Sequence, residues 1–135
     1  MLFDITPLYA AQLPTNEKDW QREVIETAEL FGCTRYFHMP YALGADRGYP
    51  DLTLILPWGI VWLELKGPRS QIQDEQIAWV LDLQNAGSHA YIARVSHANR
   101  NAIVALFRGQ LPYPDPLLDA GHLLDSHWEV YRDRI

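Results

Sequence analysis

The sequence contains a single cysteine, Cys33, so no intramolecular disulfide can form. That fits a reducing compartment, and we expect the cytoplasm. Cys33 follows Gly32 at the expected end of a helix, where we interpret it as a small buried side chain rather than a nucleophile. The first residues lack a signal-peptide pattern. No apolar run approaches the roughly 18 residues of a membrane span. We therefore expect no membrane partner.

Positive charge is also scarce, because 11 basic residues face 17 acidic ones and the net charge is −6. Phosphate binding usually leaves a basic surface, so this balance argues mildly against a nucleic-acid partner. A metal-dependent nuclease is an exception, because its carboxylates count as negative while bound divalent ions supply positive charge. The length of 135 residues and a hydrophobic content of 48% fit one domain with an ordinary core.

The order of hydrophobic patterns and breaking residues predicts an α/β fold with a mixed sheet flanked by helices. The strands on either side of Pro57-Trp58-Gly59 form a predicted tight hairpin, and both are apolar on both faces. We therefore expect both to be central strands of a covered sheet. The predicted elements are a helix over 16–32, strands over 34–39, 52–56 and 60–66, a helix over 73–86, a strand over 90–95 and a helix over 99–107.

Two acidic side chains and a lysine are predicted to converge at one end of this hairpin. With the turn near Trp58, Asp51 lies across from the Glu64–Lys66 stretch, and period-2 alternation places Glu64 and Lys66 on one face. The strand around them is apolar, and lysine or glutamate is almost never fully buried without a partner. Either these groups pair with one another, or a metal ion lies between the carboxylates. A plain ion pair would explain Glu64 and Lys66 alone; Asp51 favours the metal.

The helices contribute two further polar candidates. Glu17 lies in the first turn of the first helix on the side facing the core, although an acidic residue is also favourable there because of the helix dipole. Glu23, Glu26 and Glu29 are expected to face solvent. Gln76 falls on the buried stripe of the second helix and must find a polar partner, which a backbone hydrogen bond would also supply.

These motifs together resemble the virus-type replication-repair nuclease (VRR-NUC) domain, a branch of the restriction-endonuclease-like PD-(D/E)xK superfamily. The resemblance covers about residues 15–107 and includes the first helix. One departure concerns the second helix, where the family usually has Ser or Thr as the cap; Gln73 stands there, and Ser70 is an alternative cap. The matching motifs are Glu17-x-x-Trp20-Gln21, Gly48-Tyr49-Pro50-Asp51-Leu52, Glu64-Leu65-Lys66, Gln76-x-x-Trp79 and Gly87.

The resemblance implies an αβββαβ core and hydrolysis of DNA phosphodiester bonds that depends on Mg²⁺ or Mn²⁺, with no organic cofactor. It implies that Asp51 and Glu64 bind the metal, that Lys66 is the catalytic lysine, and that Glu17 and Gln76 belong to the site. The backbone carbonyl of Leu65 is a further candidate ligand, and Glu17 can bind a second ion or a water. A role on branched or flap DNA in phage-type replication and repair, in a bacterial or phage-infected cytoplasm, is what the family suggests.

Three basic residues are candidates for phosphate contacts: Arg47, Arg69 and His38. A lone strand histidine is more often a core or surface residue than a ligand. Residues 1–109 form the predicted nuclease domain, and residues 110–135 form a Pro-rich linker and an amphipathic tail. Because so small a domain offers little surface to a branched duplex, we expect a homodimer through the apolar tail. The tail residues in question are Leu117, Leu118, Leu123, Leu124 and Trp128.

Two other function classes stay open at this point. The chain can be a catalytically silent nucleic-acid-binding or assembly module that keeps the nuclease fold, although such a module has no need of the Asp51, Glu64 and Lys66 charges. A small-molecule hydrolase is a weaker alternative, because no serine–histidine or cysteine–histidine arrangement is evident.

Overall fold

The computed structural model describes residues 12–39 and 48–110, together with the backbone of Leu117–Leu118. All the helices and strands predicted from the sequence are present, in the predicted order. The described elements are α1 (Glu17–Leu30), β1 (Arg35–His38), β2 (Leu52–Leu56), β3 (Gly59–Lys66), α2 (Asp74–Asn85), β4 (His89–Arg94), α3 (His97–Phe107) and β5 (Leu117–Leu118).

The strands form one mixed sheet in the order β1-β2-β3-β4-β5. The β1–β2 and β2–β3 pairs are antiparallel, whereas β4 lies parallel to both β3 and β5. The predicted tight hairpin between β2 and β3 is confirmed, but Gly59 belongs to β3 and pairs with Leu56, so the turn consists of only Pro57 and Trp58. The parallel β3–β4 pair is joined through α2, the crossover that such a pair requires. The predicted αβββαβ core of a restriction-endonuclease-like fold is confirmed.

Helices α1 and α3 cover one face of the sheet and α2 covers part of the other. Asn16 caps α1 by accepting the backbone N–H of Asp19 at 2.8 Å. Trp20 lies in the larger core, and its indole N–H donates to the carbonyl of Ala93 at 3.1 Å. The larger core also contains Val24, Ala28, Leu52, Leu54, Leu56, Val61, Leu63, Leu65, Tyr91, Ala93, Ile103, Leu106 and Phe107. The smaller core joins Ile77, Val80 and Leu81 of α2 to Ala90 and Ile92 of β4.

The sheet is less covered than the sequence predicts. Phe37, Ile55 and Ile60 are 52%, 37% and 41% exposed, and the strand pairing places them on the face that α2 covers only over β3 and β4. The prediction that both hairpin strands are buried on both faces is therefore wrong at the end near the turn. Their apolar character does not reveal which end of the strand a helix covers.

Strand β5 was not predicted. The backbone of Leu117–Leu118 pairs parallel with Ile92 and Ala93 of β4. A two-residue strand has no periodicity that a sequence pattern could reveal. Residues 111–116 and 119–135 lie outside the described part, as do the tail contacts predicted for Leu123, Leu124 and Trp128. None of the described helices combines the length and the apolar character needed to cross a bilayer.

Helices α1 and α3 are joined by a buried ion pair that corrects one prediction. Glu23, expected to face solvent, accepts from the guanidinium of Arg100 through both carboxylate oxygens, at 2.6 and 3.0 Å. The side chains of Arg100 and Glu23 are only 4% and 14% exposed. Since the partners are 77 positions apart, no local pattern on α1 could have indicated this contact.

Removing one partner of this pair is expected to be costly. Arg100→Ala leaves the Glu23 carboxylate buried without its bidentate partner, so we expect about 3–5 kcal/mol to be lost from the free energy of unfolding. The exposed pair of Arg22 with Asp19 supplies the matched control, and Arg22→Ala should cost less than about 1 kcal/mol. Urea unfolding of both variants measures this difference; equal losses would contradict the buried-pair account.

Candidate metal centre

The β2–β3 hairpin brings Asp51 and Glu64 together as the sequence predicts. Leu52 pairs with Leu63, so the residue before β2, Asp51, lies opposite Glu64. The backbone N–H of Met39 donates to the Asp51 carbonyl at 2.8 Å, which fixes this end of the ladder from the other side. Asp51 and Glu64 are 8% and 2% exposed. Two carboxylates are thus held on neighbouring strands in a nearly dry site.

Helix α1 adds a third carboxylate. Carboxylate oxygens of Glu17, Asp51 and Glu64 all lie within 4.8 Å of one another. Glu17 is the first residue of α1, placed there by the Asn16 cap. Gly67, which follows β3, also helps, because a Cβ at this position would lie 3.0 Å from the Glu17 backbone nitrogen. Glycine therefore lets the start of α1 approach the end of the Glu64-Leu65-Lys66 strand closely.

The carboxylates are poorly accommodated as three anions. Burial raises the pKa of Glu64 to about 10, and a side-chain hydrogen bond to Asp51 and the negative charge of Asp51 add to the effect. Burial also raises the pKa of Glu17, again with a contribution from the Asp51 charge. Without a cation, the Glu64 carboxyl group therefore keeps its proton at neutral pH and hydrogen-bonds to Asp51. A divalent ion would replace that proton and relieve the repulsion.

Lys66 lies beside this cluster. It is 6% exposed, and its positive charge lowers the pKa of both Glu64 and Glu17, against the larger effect of burial. Within residues 12–39 and 48–110, ion pairs of 4 Å or less join Arg22 to Asp19 and Arg100 to Glu23; Lys66 takes part in neither. The alternative that Lys66 simply neutralises Glu64 through a direct ion pair is therefore not what the structure shows.

Gln21 is a site residue to which the sequence analysis assigned no role. Its side-chain N–H donates to Asp51 Oδ2 at 3.3 Å. Gln21 follows Glu17 by four positions, so both side chains project from the same edge of α1. The spacing was visible in the sequence, but the contact with Asp51 depends on how α1 lies against the sheet. Gln21 can hold Asp51 in one orientation.

Gln76 makes the backbone hydrogen bond that was predicted as the alternative to a role in the site. It is 7% exposed, and its side-chain oxygen accepts the N–H of Gln73 at 2.9 Å. Gln73 is the N-cap residue of α2, so the suggestion that Ser70 caps this helix is wrong. The contact of Gln76 fixes the start of α2 rather than a group at the carboxylate cluster.

The predicted phosphate contacts differ in position. His38 ends β1 and is exposed, and its charge lowers the pKa of Glu17, so it lies near the cluster. Arg69 is exposed and lines a cleft that also includes Glu17. Arg47 lies outside the described residues. Cys33 is half-buried against the core, and burial raises the pKa of its thiol, which disfavours a nucleophilic role as expected.

The cluster fits a hard divalent cation. Its three ligand groups are carboxylates, the oxygen donors that Mg²⁺ and Mn²⁺ prefer. Their separation allows one ion to contact all three groups with small side-chain adjustments. The side chain of Leu65 is fully buried in the core, between Glu64 and Lys66 in sequence. Its backbone carbonyl stays a predicted ligand.

A family model described as the VRR-NUC domain matches residues 7–97, which is more than half of the chain. The matched range includes α1, the β2–β3 hairpin and α2, and therefore every residue of the carboxylate cluster. No curated protein matches the chain. No solved structure matches it either.

Proposed function

Since the chain belongs to the VRR-NUC family, a family of nuclease domains that generally use divalent metals, we propose that it is a deoxyribonuclease dependent on Mg²⁺ or Mn²⁺. The observation that carries this proposal is the cluster of Glu17, Asp51 and Glu64 with Lys66 beside it. A catalytically silent module would gain nothing from three crowded carboxylates, whose mutual repulsion and burial reduce stability. The presence of three such carboxylates together, two of them buried, therefore favours catalysis.

The ion would be held by Asp51 and Glu64, with Glu17 as a third carboxylate ligand or the ligand of a second ion. When bound, it would supply Lewis-acid polarisation of the scissile phosphate and lower the pKa of a water. The protein's own part is to position these groups. Gln21 holds Asp51 through its 3.3 Å hydrogen bond, and the side chains of Asp51 and Glu64 are themselves shielded from bulk water.

Lys66 has the position of an electrostatic catalyst. Its ammonium lies close enough to Glu64 and Glu17 to shift their pKa values, yet makes no direct ion pair within the described residues. It can therefore donate to a water or to a phosphate oxygen as negative charge develops there. His38 lies near the cluster and Arg69 lines the cleft that includes Glu17, so both can donate hydrogen bonds to the flanking phosphates. Gln76 acts indirectly in this proposal, by fixing the start of α2.

We extend the proposal to branched or flap DNA as the substrate, in phage-type replication and repair. A cleavage panel of single strands, duplexes, flaps and four-way junctions, each with Mg²⁺ and with Mn²⁺, tests both the nuclease activity and the preference for branched or flap DNA. The expected result is metal-dependent cleavage that is fastest on a branched or flap substrate. Glu64→Ala serves as the blank. Cleavage of no substrate would overturn the nuclease proposal, whereas equal rates on all forms would overturn only the branched preference.

A homodimer belongs to the same proposal, because two copies present two active sites to the two strands of a branch. We expect the full chain to have a dimeric mass at micromolar concentration, measured by light scattering during gel filtration. Removing residues 119–135, which contain Leu123, Leu124 and Trp128 of the apolar tail, should convert it to a monomer if the tail forms the interface. A monomeric mass for the full chain would contradict the prediction.

A further inference from the structure

A cleft of about 810 Å³ opens directly beside the carboxylate cluster. One wall is formed by the residues that lead into α1, including Leu13 and Pro14. The other is formed by the loop after β3, including Pro68 and Arg69. Glu17 belongs to both the lining of the cleft and the cluster. A ligand in the cleft can therefore contact a residue that also contributes a carboxylate to the cluster.

From this geometry we propose that the cleft binds an unpaired nucleotide of the DNA substrate, adjacent to the bond that is cut. The inference rests on the proposed nuclease function and deepens it, because it assigns a place on the protein to the single-stranded segment of a flap substrate. A cleft of this volume is within the roughly 300–1,000 Å³ of sites that take one small organic ligand. It is too small to enclose a duplex.

The residues that line the cleft are suited to an unstacked base. Leu13, Pro14, Pro68 and Val95 make the lining of the cleft mainly apolar, and Leu13, Pro14 and Val95 are half-buried. Enzymes that bind an unstacked base hold it between aromatic or apolar side chains. Stacked bases of a duplex present only their edges to a protein, so their faces cannot pack against the apolar walls of the cleft. The apolar lining therefore favours a nucleotide that is not paired.

The charge at the cleft mouth suits the backbone of the same nucleotide. Arg69 is exposed at the rim and can contact a phosphate or stack its guanidinium on a base. Arg69 and Glu17 line the same cleft, and a metal ion at the cluster would add further positive charge. A nucleotide can therefore place its base between the apolar walls and its phosphates along the line from Arg69 to the cluster.

The loop that forms one wall is held rigidly, as a binding site requires. Arg94 donates to the carbonyls of Gly67 and Ser70, each at 2.6 Å, and so fixes both ends of the loop. The close approach of Gly67 to the Glu17 backbone brings the two walls together at one end of the cleft. Because these contacts exist without a ligand, the cleft is preformed and an entering nucleotide need not order it.

Fluorescence anisotropy of the full-length protein in Mg²⁺ tests this inference. The probes are a blunt DNA duplex and the same duplex with a short single-stranded extension, both with phosphorothioate linkages to suppress hydrolysis. We expect the extended probe to bind about tenfold more tightly. Leu13→Asn removes an apolar contact and should cost about tenfold in affinity for the extended probe alone. Arg69→Ala should also weaken the binding of the extended probe.

The matched control is Leu30→Asn, the same change at an exposed leucine about 20 Å further along α1, which should alter neither affinity. Equal wild-type affinities for the two probes, or a Leu13→Asn effect that is the same on both, would overturn the inference. Cleavage is measured in parallel on unmodified probes. A binding preference for the extended probe without any cleavage would refute the nuclease function but not the inference about the cleft. Cleavage without this binding preference would refute the inference about the cleft but not the nuclease function.

Discussion

Replacing Glu64 by glutamine is expected to abolish metal-dependent cleavage and, at the same time, to stabilise the metal-free protein. Glutamine keeps the size and hydrogen-bonding ability of the protonated side chain but cannot become an anionic ligand. Cleavage in Mg²⁺ should fall by roughly 10³-fold or more. The opposite effects on activity and stability distinguish a functional carboxylate from one that serves the fold.

The sign of the stability effect follows from the pKa of Glu64. Burial and the contact with Asp51 raise this pKa from 4.5 to about 10. A raised acid pKa contributes stability that is fully present below the unfolded value and is lost as the pH rises towards the folded value. The metal-free wild type should therefore lose stability between about pH 5 and 10, by up to about 1.4 kcal/mol per pH unit.

Chemical unfolding in a chelating buffer at several pH values measures this slope. Glu64→Gln should remove most of it, and added Mg²⁺ should stabilise the wild type but not the variant. Glu26→Gln, at an exposed position of the same helix as Glu17, is the matched control and should change neither property. A destabilised Glu64→Gln protein would show that the ionised carboxylate supports the fold, contrary to this account.

Replacing Lys66 by methionine is expected to reduce the rate of cleavage by about 10²–10³-fold while the protein still binds its metal. Methionine keeps the buried apolar part of the side chain, which is 6% exposed, and removes only the ammonium. Because Lys66 is assigned to the developing charge on the phosphate, the loss should appear in kcat rather than in KM. Mn²⁺ affinity should be unchanged or higher, since a repelling charge has gone.

Lys18→Met is the matched control, because Lys18 is the other lysine of the sequence and lies exposed on α1. Single-turnover cleavage kinetics and a Mn²⁺ titration of both variants give the required comparison. Full cleavage by Lys66→Met would exclude the lysine from catalysis. A lost Mn²⁺ affinity would instead indicate that Lys66 organises the carboxylates.

The hairpin and its charged end could be predicted because every step was local. Pro57 and Trp58 set the turn, the turn set the register, and the register placed Asp51 opposite Glu64. Alternation then placed Lys66 on the same face as Glu64. Glu17 needed one further step, its place at the start of α1, which the Asn16 cap supplied. Such short-range rules involve few competing arrangements, so the sequence pattern was sufficient.

The contacts that escaped prediction all depend on how distant elements pack. Glu23 looks like its solvent-facing neighbours on α1, and only the position of α3 brings Arg100 to it. Gln21 gains its role from the approach of α1 to Asp51, which is 30 residues away in the chain. The exposure of Phe37, Ile55 and Ile60 likewise depends on which strands α2 covers. None of these arrangements can be recognised from the local sequence pattern.

The most direct test of the central claim is a diffraction experiment on crystals grown with Mn²⁺, in which anomalous scattering locates the ion. The account predicts an anomalous peak bounded by the carboxylates of Glu17, Asp51 and Glu64, within reach of the Lys66 ammonium. Crystals with Mn²⁺ bound elsewhere, and with Glu64 still hydrogen-bonded to Asp51, would contradict it.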